Sequence, residues 1–174
     1  MFLIMPANSE QLFNRFCELG ICYETHSHPA VFTVEEAQLH CSHLPGAHCK
    51  NLFLKDKKGQ LWLAVMLDRR EVEIKALQKA MGAARLSFGK AELLHEVLGV
   101  IPGAVTPFGL INDTGQRVRV FLDAEMMAAE LVNFHPLRND ATTAMAPADL
   151  RRFIASCGRD AEDLEFPLGG ETGL

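Results

Sequence analysis

A chain of 174 residues, 48% hydrophobic and 22% charged, is long and apolar enough to bury a core without disulfides or metals, which excludes a disordered chain. Its formal net charge of −5 excludes a protein that coats nucleic acid by bulk electrostatics, yet leaves room for a local basic patch holding one nucleic-acid end. Five cysteines, odd in number and in no CxxC pattern, read as reduced thiols of a cytoplasmic protein.

The opening MFLIMPANSE has a short apolar run, no basic n-region and no A-x-A site. It is too short to span a bilayer, so neither signal peptide nor membrane helix is expected. Segment 8–19 puts Leu12, Phe13, Phe16 and Leu19 on one helical face, with Asn8 or Ser9 to cap it and Gly20 to stop it. ICYETHSH reads as a short strand. In VFTVEEAQLH, Thr33 and Glu36 stand at capping-box spacing and predict a helix of about two turns.

CKNLFLKDKKGQLWLAVML is the clearest element. Two apolar-rich runs flank the charged tip Asp56-Lys57-Lys58-Gly59, which predicts a β-hairpin whose second strand is covered on both faces. EVEIKALQKAMG is a helix ending at Gly82, with Val72, Leu77 and Ala80 or Met81 as candidate inward positions. ARLSF is a strand, and KAELLHEVLG a helix stopped by Gly99. It delivers the chain into GVIPGAVTPFGLIND, a Pro/Gly-rich apolar loop with no Ser, Cys or His nucleophile. FGLIND and VRVFLD then read as strands joined by a turn at Thr114-Gly115. AEMMAAE is a short helix, LVNFHP a strand, ATTAM a final strand, and APADLRRFIASCG a helix with Pro147 suited to its first turn. Residues 1–174 read as a single domain whose acidic, Gly-rich tail, 161–174, is flexible. The irregular alternation of strands and helices predicts a mixed α/β (α+β) fold, one mixed sheet with helices packed around it.

Four stretches taken together carry a resemblance: HPAVFTVEEA (28–37), LPGAHCKNLFLKD (44–56), the Gly99–Asp113 loop and FHPLRNDATT (134–143). In order and spacing they resemble the free-standing aminoacyl-tRNA deacylases related to the editing insertion of bacterial prolyl-tRNA synthetase (the YbaK-like superfamily). Within that group the chain is most similar to the single-domain enzymes that hydrolyse alanyl-tRNA(Pro). The similarity runs from about residue 8 to 160.

The resemblance implies a mostly antiparallel, barrel-like sheet surrounded by helices, and a hydrolase that cleaves the aminoacyl ester of tRNA with no cofactor and no metal. It implies as partners the acceptor end of tRNA(Pro) and prolyl-tRNA synthetase, with no membrane and no DNA. Lys50 matches the signature lysine thought to engage the terminal nucleotide; by itself it also reads as a solvated lysine at a strand end. The ammonium there would neutralise a phosphate or favour negative charge developing on the ester. Gly103 to Pro107 match a G-x-x-x-P loop whose backbone would place a water and wall off a small pocket. Gly103 and His135 join Lys50 as catalytic expectations. Val31, Phe32, Thr33, Asn51, Arg85, Ala104, Thr106 and Pro107 are expected to touch substrate. Asn51, next to Lys50, points to the opposite face of a regular strand, and Thr142 and Thr143 are either pocket hydroxyls or strand threonines.

The expected substrate is Ala-tRNA(Pro). The alternatives are another small amino acid, as Cys-tRNA(Pro) or Ser-tRNA, a non-catalytic tRNA- or synthetase-binding module, and a metal-dependent hydrolase. The last rests on His26, His28, His40, Cys41, His43, His48 and Cys49, which match no HExxH or CxxC…HxxxH spacing. Lys55, Lys57 and Lys58, with Arg69 and Arg70, form the notable basic cluster, either a solvated turn or a contact for tRNA phosphates.

Overall fold

The computed structural model describes residues 5–165. In chain order its elements begin with α1 (Ser9–Glu18), β1 (Tyr23–Ser27), α2 (Val34–Cys41), β2 (Ala47–Asp56) and β3 (Leu61–Leu67). There follow α3 (Ile74–Met81), β4 (Leu86–Phe88), α4 (Ala91–Leu98) and a 3₁₀ helix, Pro107–Ile111. The chain continues with β5 (Val118–Asp123), α5 (Ala124–Met127), β6 (Val132–Phe134), β7 (Ala141–Met145), α6 (Pro147–Ser156) and β8 (Ala161–Leu164). Eight strands form one sheet in the order β1-β7-β6-β2-β3-β5-β8, with β4 on β2. Its pairing is mostly antiparallel, with parallel joins at β2–β6, β3–β5 and β5–β8.

The β2–β3 hairpin organises this sheet. Its tip is closed by the Asp56 carboxylate, which accepts from the backbone N–H of Lys58 at 2.9 Å and of Gln60 at 3.0 Å. Every residue of β3 is buried, as the apolar residues of both parities predict. Leu61, Leu63, Val65 and Leu67 face a core built with α1, α4, α6 and the 3₁₀ helix. Trp62, Ala64 and Met66 face a smaller core with Leu77 and Met81 of α3. Of the two inward candidates at the end of α3, Met81 is therefore the buried one, and Ala80 is exposed. In the larger core Phe16, Phe108 and Phe153 meet edge to face, with ring centroids 5.1–5.5 Å apart.

The two edges of β2 differ. One is paired with β3 over Cys49–Lys55. The other is shared: Ala47 and His48 run parallel to β6, while Leu54–Asp56 pair with β4. Between those two pairings the stretch 49–53 has no strand beside it among the described residues, and the opening is where the functional side chains collect.

Two expectations are corrected. FGLIND is not a strand. Thr106 caps the 3₁₀ helix by accepting from Phe108 N–H at 3.2 Å, and Pro107 stands in its first turn, where a missing N–H and a fixed φ favour helix. Residues 161–164 are not a frayed tail but β8, parallel to β5 and held by ion pairs from Arg119 to Glu162 and from Arg151 to Asp163. The rest of the expected tail, from residue 166, and Met1–Ile4 of the apolar N-terminal run lie outside the described residues. Among the described residues no helix is long and apolar enough to cross a membrane.

Candidate active site

The unpaired stretch of β2, the start of α2, Gly103 and Val105 of the apolar loop, and the end of β6 enclose a pocket of about 230 Å³. Seven of the residues expected to form the site line it: Val31, Phe32, Thr33, Lys50, Asn51, Gly103 and His135. Thr142 lines it as well.

Lys50 stands in the open part of β2, opposite Met66. Its ammonium donates to the backbone carbonyl of Arg70, just beyond β3. That carbonyl is fixed from behind. The Arg70 guanidinium grips buried Asp123 with two bonds, Nε–Oδ2 at 2.5 Å and Nη2–Oδ1 at 3.0 Å. Asp123 also accepts from Leu67 N–H and Glu125 N–H, so its carboxylate is saturated. Burial lowers the Lys50 pKa, partly opposed by the negative charges of Asp68 and Glu71.

Asn51 does not point away from the pocket, as a regular strand would require. The missing neighbour strand lets it reach sideways, and its Nδ2 donates to the Val105 carbonyl at 3.0 Å. Asn51 Oδ1 is buried without a hydrogen-bond partner. The same is true of Asn133 Oδ1, while Asn133 Nδ2 donates to the carbonyls of Pro45 at 2.9 Å and Ala47 at 3.2 Å. Asn133 lines the pocket and was missed from the sequence, although an amide inside the apolar run LVNF is a visible anomaly.

His135 completes a set of acceptors. Its Nδ1 lies 2.8 Å from the carbonyl of Ala141, which can only accept, so Nδ1 carries the proton and Nε2 keeps its lone pair. Burial, together with the neighbouring His28, lowers its pKa against the opposing pull of the Ala141 bond and Asp140. His28 packs 5.9 Å away, centroid to centroid. Its Nδ1 donates to Pro29 O and, in the neutral ring, its Nε2 accepts from the Thr142 hydroxyl, both at 2.8 Å. Thr142 is thereby a member of the pocket's hydrogen-bond chain rather than a free hydroxyl.

The loop contributes close backbone approach. Gly103 has φ +89°, and a Cβ there would lie 3.2 Å from Phe32 Cα, so main chain packs directly on the rim. The rim is itself clamped, with Val31 N–H donating to Asn139 O at 3.0 Å and Asn139 Nδ2 donating to Val31 O at 2.8 Å.

Four expected contacts lie elsewhere. Ala104 is fully buried in the main core, one residue past the pocket wall. Thr106 and Pro107 are buried in the cap and first turn of the 3₁₀ helix. Arg85 sits at the hairpin tip, where its carbonyl accepts from Lys57 N–H at 2.9 Å. Its neighbour Leu86 pairs with Asp56, six residues along β2 from Lys50, or ~20 Å at strand rise. The histidine- and cysteine-rich stretch does not converge: among the described residues no three His, Cys, Asp or Glu side chains are grouped to hold a metal ion.

In chemical terms the pocket is lined by one cation, Lys50, one ring acceptor, His135 Nε2, and two amides, Asn51 and Asn133, whose Oδ1 atoms are buried behind its wall without partners. That set suits a small ligand carrying an ammonium group and, beside it, an oxygen that gains negative charge.

Comparison with known proteins agrees with this architecture. The chain is 40% identical over 160 residues to the prolyl-tRNA synthetase associated domain-containing protein 1 of Bos taurus, covering 89% of this chain and 93% of that protein. It is 33% identical over 150 residues to the prolyl-tRNA editing protein ProX of Acetoanaerobium sticklandii, covering 86% of this chain and 92% of that protein. The solved structure of a candidate trans-editing enzyme for prolyl tRNA synthetase shares the fold, with a TM-score of 0.68 at 19% identity over 91% of this chain and 98% of that one. Residues 28–153 match the aminoacyl-tRNA editing domain, and the chain belongs to that family.

Proposed function

We propose that this protein is a cytoplasmic trans-editing hydrolase that cleaves alanine from mischarged Ala-tRNA(Pro), working beside prolyl-tRNA synthetase. The observation that carries the reading is the pairing of a small acceptor-lined pocket with the Lys50 ammonium. A primary α-ammonium has three N–H donors, enough for His135 Nε2 and, once the wall shifts to admit them, for the unpartnered Asn51 Oδ1 and Asn133 Oδ1; the ring nitrogen of proline has two. Such an editing site would be useful because a synthetase pocket built for proline rejects a smaller side chain by only ~1–3 kcal/mol per missing methylene.

On this reading a water adds to the ester carbonyl carbon, and negative charge grows on the carbonyl oxygen. Lys50 favours that charge or pairs with the terminal phosphate. The bond from carbonyl carbon to ribose oxygen then breaks. The ribose oxygen leaves with a proton as a hydroxyl, and alanine departs as the free amino acid. An aminoacyl ester is already reactive, so placing water between the Gly103 loop and the pocket suffices, and no side chain is assigned as general base.

The test is a deacylation panel of alanine, proline and cysteine on tRNA(Pro) and serine on its own tRNA, run with the wild type and Lys50→Ala. Selective loss of alanine from tRNA(Pro) is expected. Ala-tRNA(Pro) surviving at its spontaneous rate would end the proposal, and preferential loss of cysteine or serine would reassign the substrate.

A further inference from the structure

The cations of this acidic protein are sorted in space. Every arginine except Arg85 forms an ion pair with a carboxylate. Lys50 is taken up by the Arg70 carbonyl. Arg85 and all the other lysines are exposed, and among the described residues their side chains have neither ion pair nor hydrogen bond.

These free cations share one end of the molecule. Lys55, Lys57 and Lys58 stand on the hairpin tip, and Lys57 N–H bonds the Arg85 carbonyl at 2.9 Å. Lys90 follows β4, where Gly89 N–H donates to Phe53 O at 2.9 Å, one residue from the pocket-lining Leu52. Helix α3, carrying Lys75 and Lys79, lies alongside through the bond from Leu86 N–H to Gln78 Oε1 at 3.1 Å. Stretches 57–67 and 74–91 contain no Asp or Glu. The Asp56 carboxylate is buried and spent on backbone N–H groups and on Trp62 Nε1.

Resting on the editing reading above, we infer that this lysine face grips the phosphate backbone of the RNA stem whose 3′ end enters the pocket. From Leu52, at the pocket, β2 runs ~13 Å to its end at Asp56, and Lys55, Lys57 and Lys58 stand on that outer end and its turn. That is a track for a rod of regularly spaced phosphates beginning at the site. The face is not a membrane anchor: the apolar side of α3, Leu77 and Met81, is buried in the protein, and one exposed aromatic, Phe88 of β4, is too little apolar surface to insert. Arg69 and Arg70, although basic in sequence, are committed to Glu125 and Asp123 and are not part of it.

The experiment uses the full chain and an uncharged RNA hairpin that reproduces an acceptor stem ending in CCA. The variant is Lys57→Gln/Lys58→Gln/Arg85→Gln, and the control is Arg151→Gln/Arg152→Gln on α6, where Arg151 pairs with Asp163 beside Leu122, at the end of β5 away from the hairpin tip. Wild-type affinity should fall steeply with salt, and the triple variant should lower the slope of log K against log salt by about 2–3. Its KM for full-length aminoacyl-tRNA should rise by about tenfold or more at unchanged kcat, while hydrolysis of the same amino acid on a CCA trinucleotide stays at the wild-type rate. Unaltered stem affinity and KM in the triple variant would overturn the inference, as would binding to phosphatidylserine vesicles with no binding to the RNA. If no aminoacyl-tRNA is hydrolysed but salt-dependent stem binding is lost in the variant, the editing reading fails and the lysine face stands.

Discussion

The Lys50 ammonium is hydrogen-bonded to the Arg70 carbonyl, and the Arg70 side chain is clamped in turn to Asp123. The candidate catalytic cation is thus held by a turn that is itself locked from the far side of the sheet. Lys50→Ala should lower deacylation by about 10²–10³ in kcat, the size of effect seen when one donor to a developing oxyanion is removed. The thermal midpoint should barely move. Because burial lowers its pKa, the ammonium is lost as pH rises through a value below the ordinary lysine range, so the alkaline limb of the pH–rate profile should fall early. Near-normal turnover in Lys50→Ala would remove it from the mechanism.

Asp123→Ala removes the two-bond partner of the buried Arg70 guanidinium, leaving it the half-exposed Glu125, and unpairs the N–H groups of Leu67 and Glu125, so it should cost about 3 kcal/mol in chemical denaturation. Burial alone would raise the Asp123 pKa, but bonds from Arg70 and from Leu67 and Glu125 N–H bring it below the ordinary value. The sign is therefore that of a depressed carboxylate. Its stabilisation is complete above about pH 3.9 and is lost as pH falls through the lower folded-state value. The stability gap between wild type and Asp123→Ala should shrink over that acid range; a gap that stays constant there would contradict the assignment.

For His135, the lowered pKa keeps the ring neutral, with Nε2 an acceptor, below the pH at which a free imidazole takes its proton. NMR titration of the ring should place its midpoint below about 6.5. The unfolded chain binds that proton first, so stability should decline as pH drops below this value. His135→Leu should weaken alanyl substrates mainly through KM, and an N-acetylated aminoacyl ester, with one N–H and no charge, should be a poor substrate for the wild type. Equal rates on acetylated and free esters would remove the acceptor set from recognition.

Neighbouring residues of the loop should respond in opposite ways. Ala104 points into the core, so Ala104→Leu overpacks it and should cost about 1–3 kcal/mol in stability without altering the preference among amino acids. Gly103→Ala strains a backbone at φ +89° and presses on Phe32, so it should raise KM. A changed amino-acid preference in Ala104→Leu would show that its side chain reaches the pocket after all.

Much of the fold was legible because local chemistry and tertiary packing agree there. Asn8 caps α1 with Gln11 as its box partner, Thr33 caps α2, Gly82 ends α3, and the hairpin lies where its charged tip predicts. FGLIND was misread because alternation of apolar residues does not reveal that Thr106 and Pro107 start a helical turn. AEDL of β8 looks solvated, yet its edge position needs only backbone pairing and surface ion pairs. At the site, motif order brought Lys50, Gly103 and His135 to one pocket. It did not separate the wall from what lies behind it, which is why Ala104 and Thr106 were expected inside. Asn133 escaped because no motif marks it; its part follows from an unpaired oxygen that only three-dimensional packing exposes.

The sorting of free cations to one end also has a kinetic consequence. A net charge of −5 with its uncompensated positive groups at one pole makes the molecule a strong electrical dipole. A polyanion diffusing nearby is repelled by most of the surface and drawn to one end, so encounters are pre-aligned before any contact forms. Rotation toward the productive pose then happens during approach rather than by trial after collision, and its benefit fades at separations beyond a Debye length of about 8 Å in physiological salt.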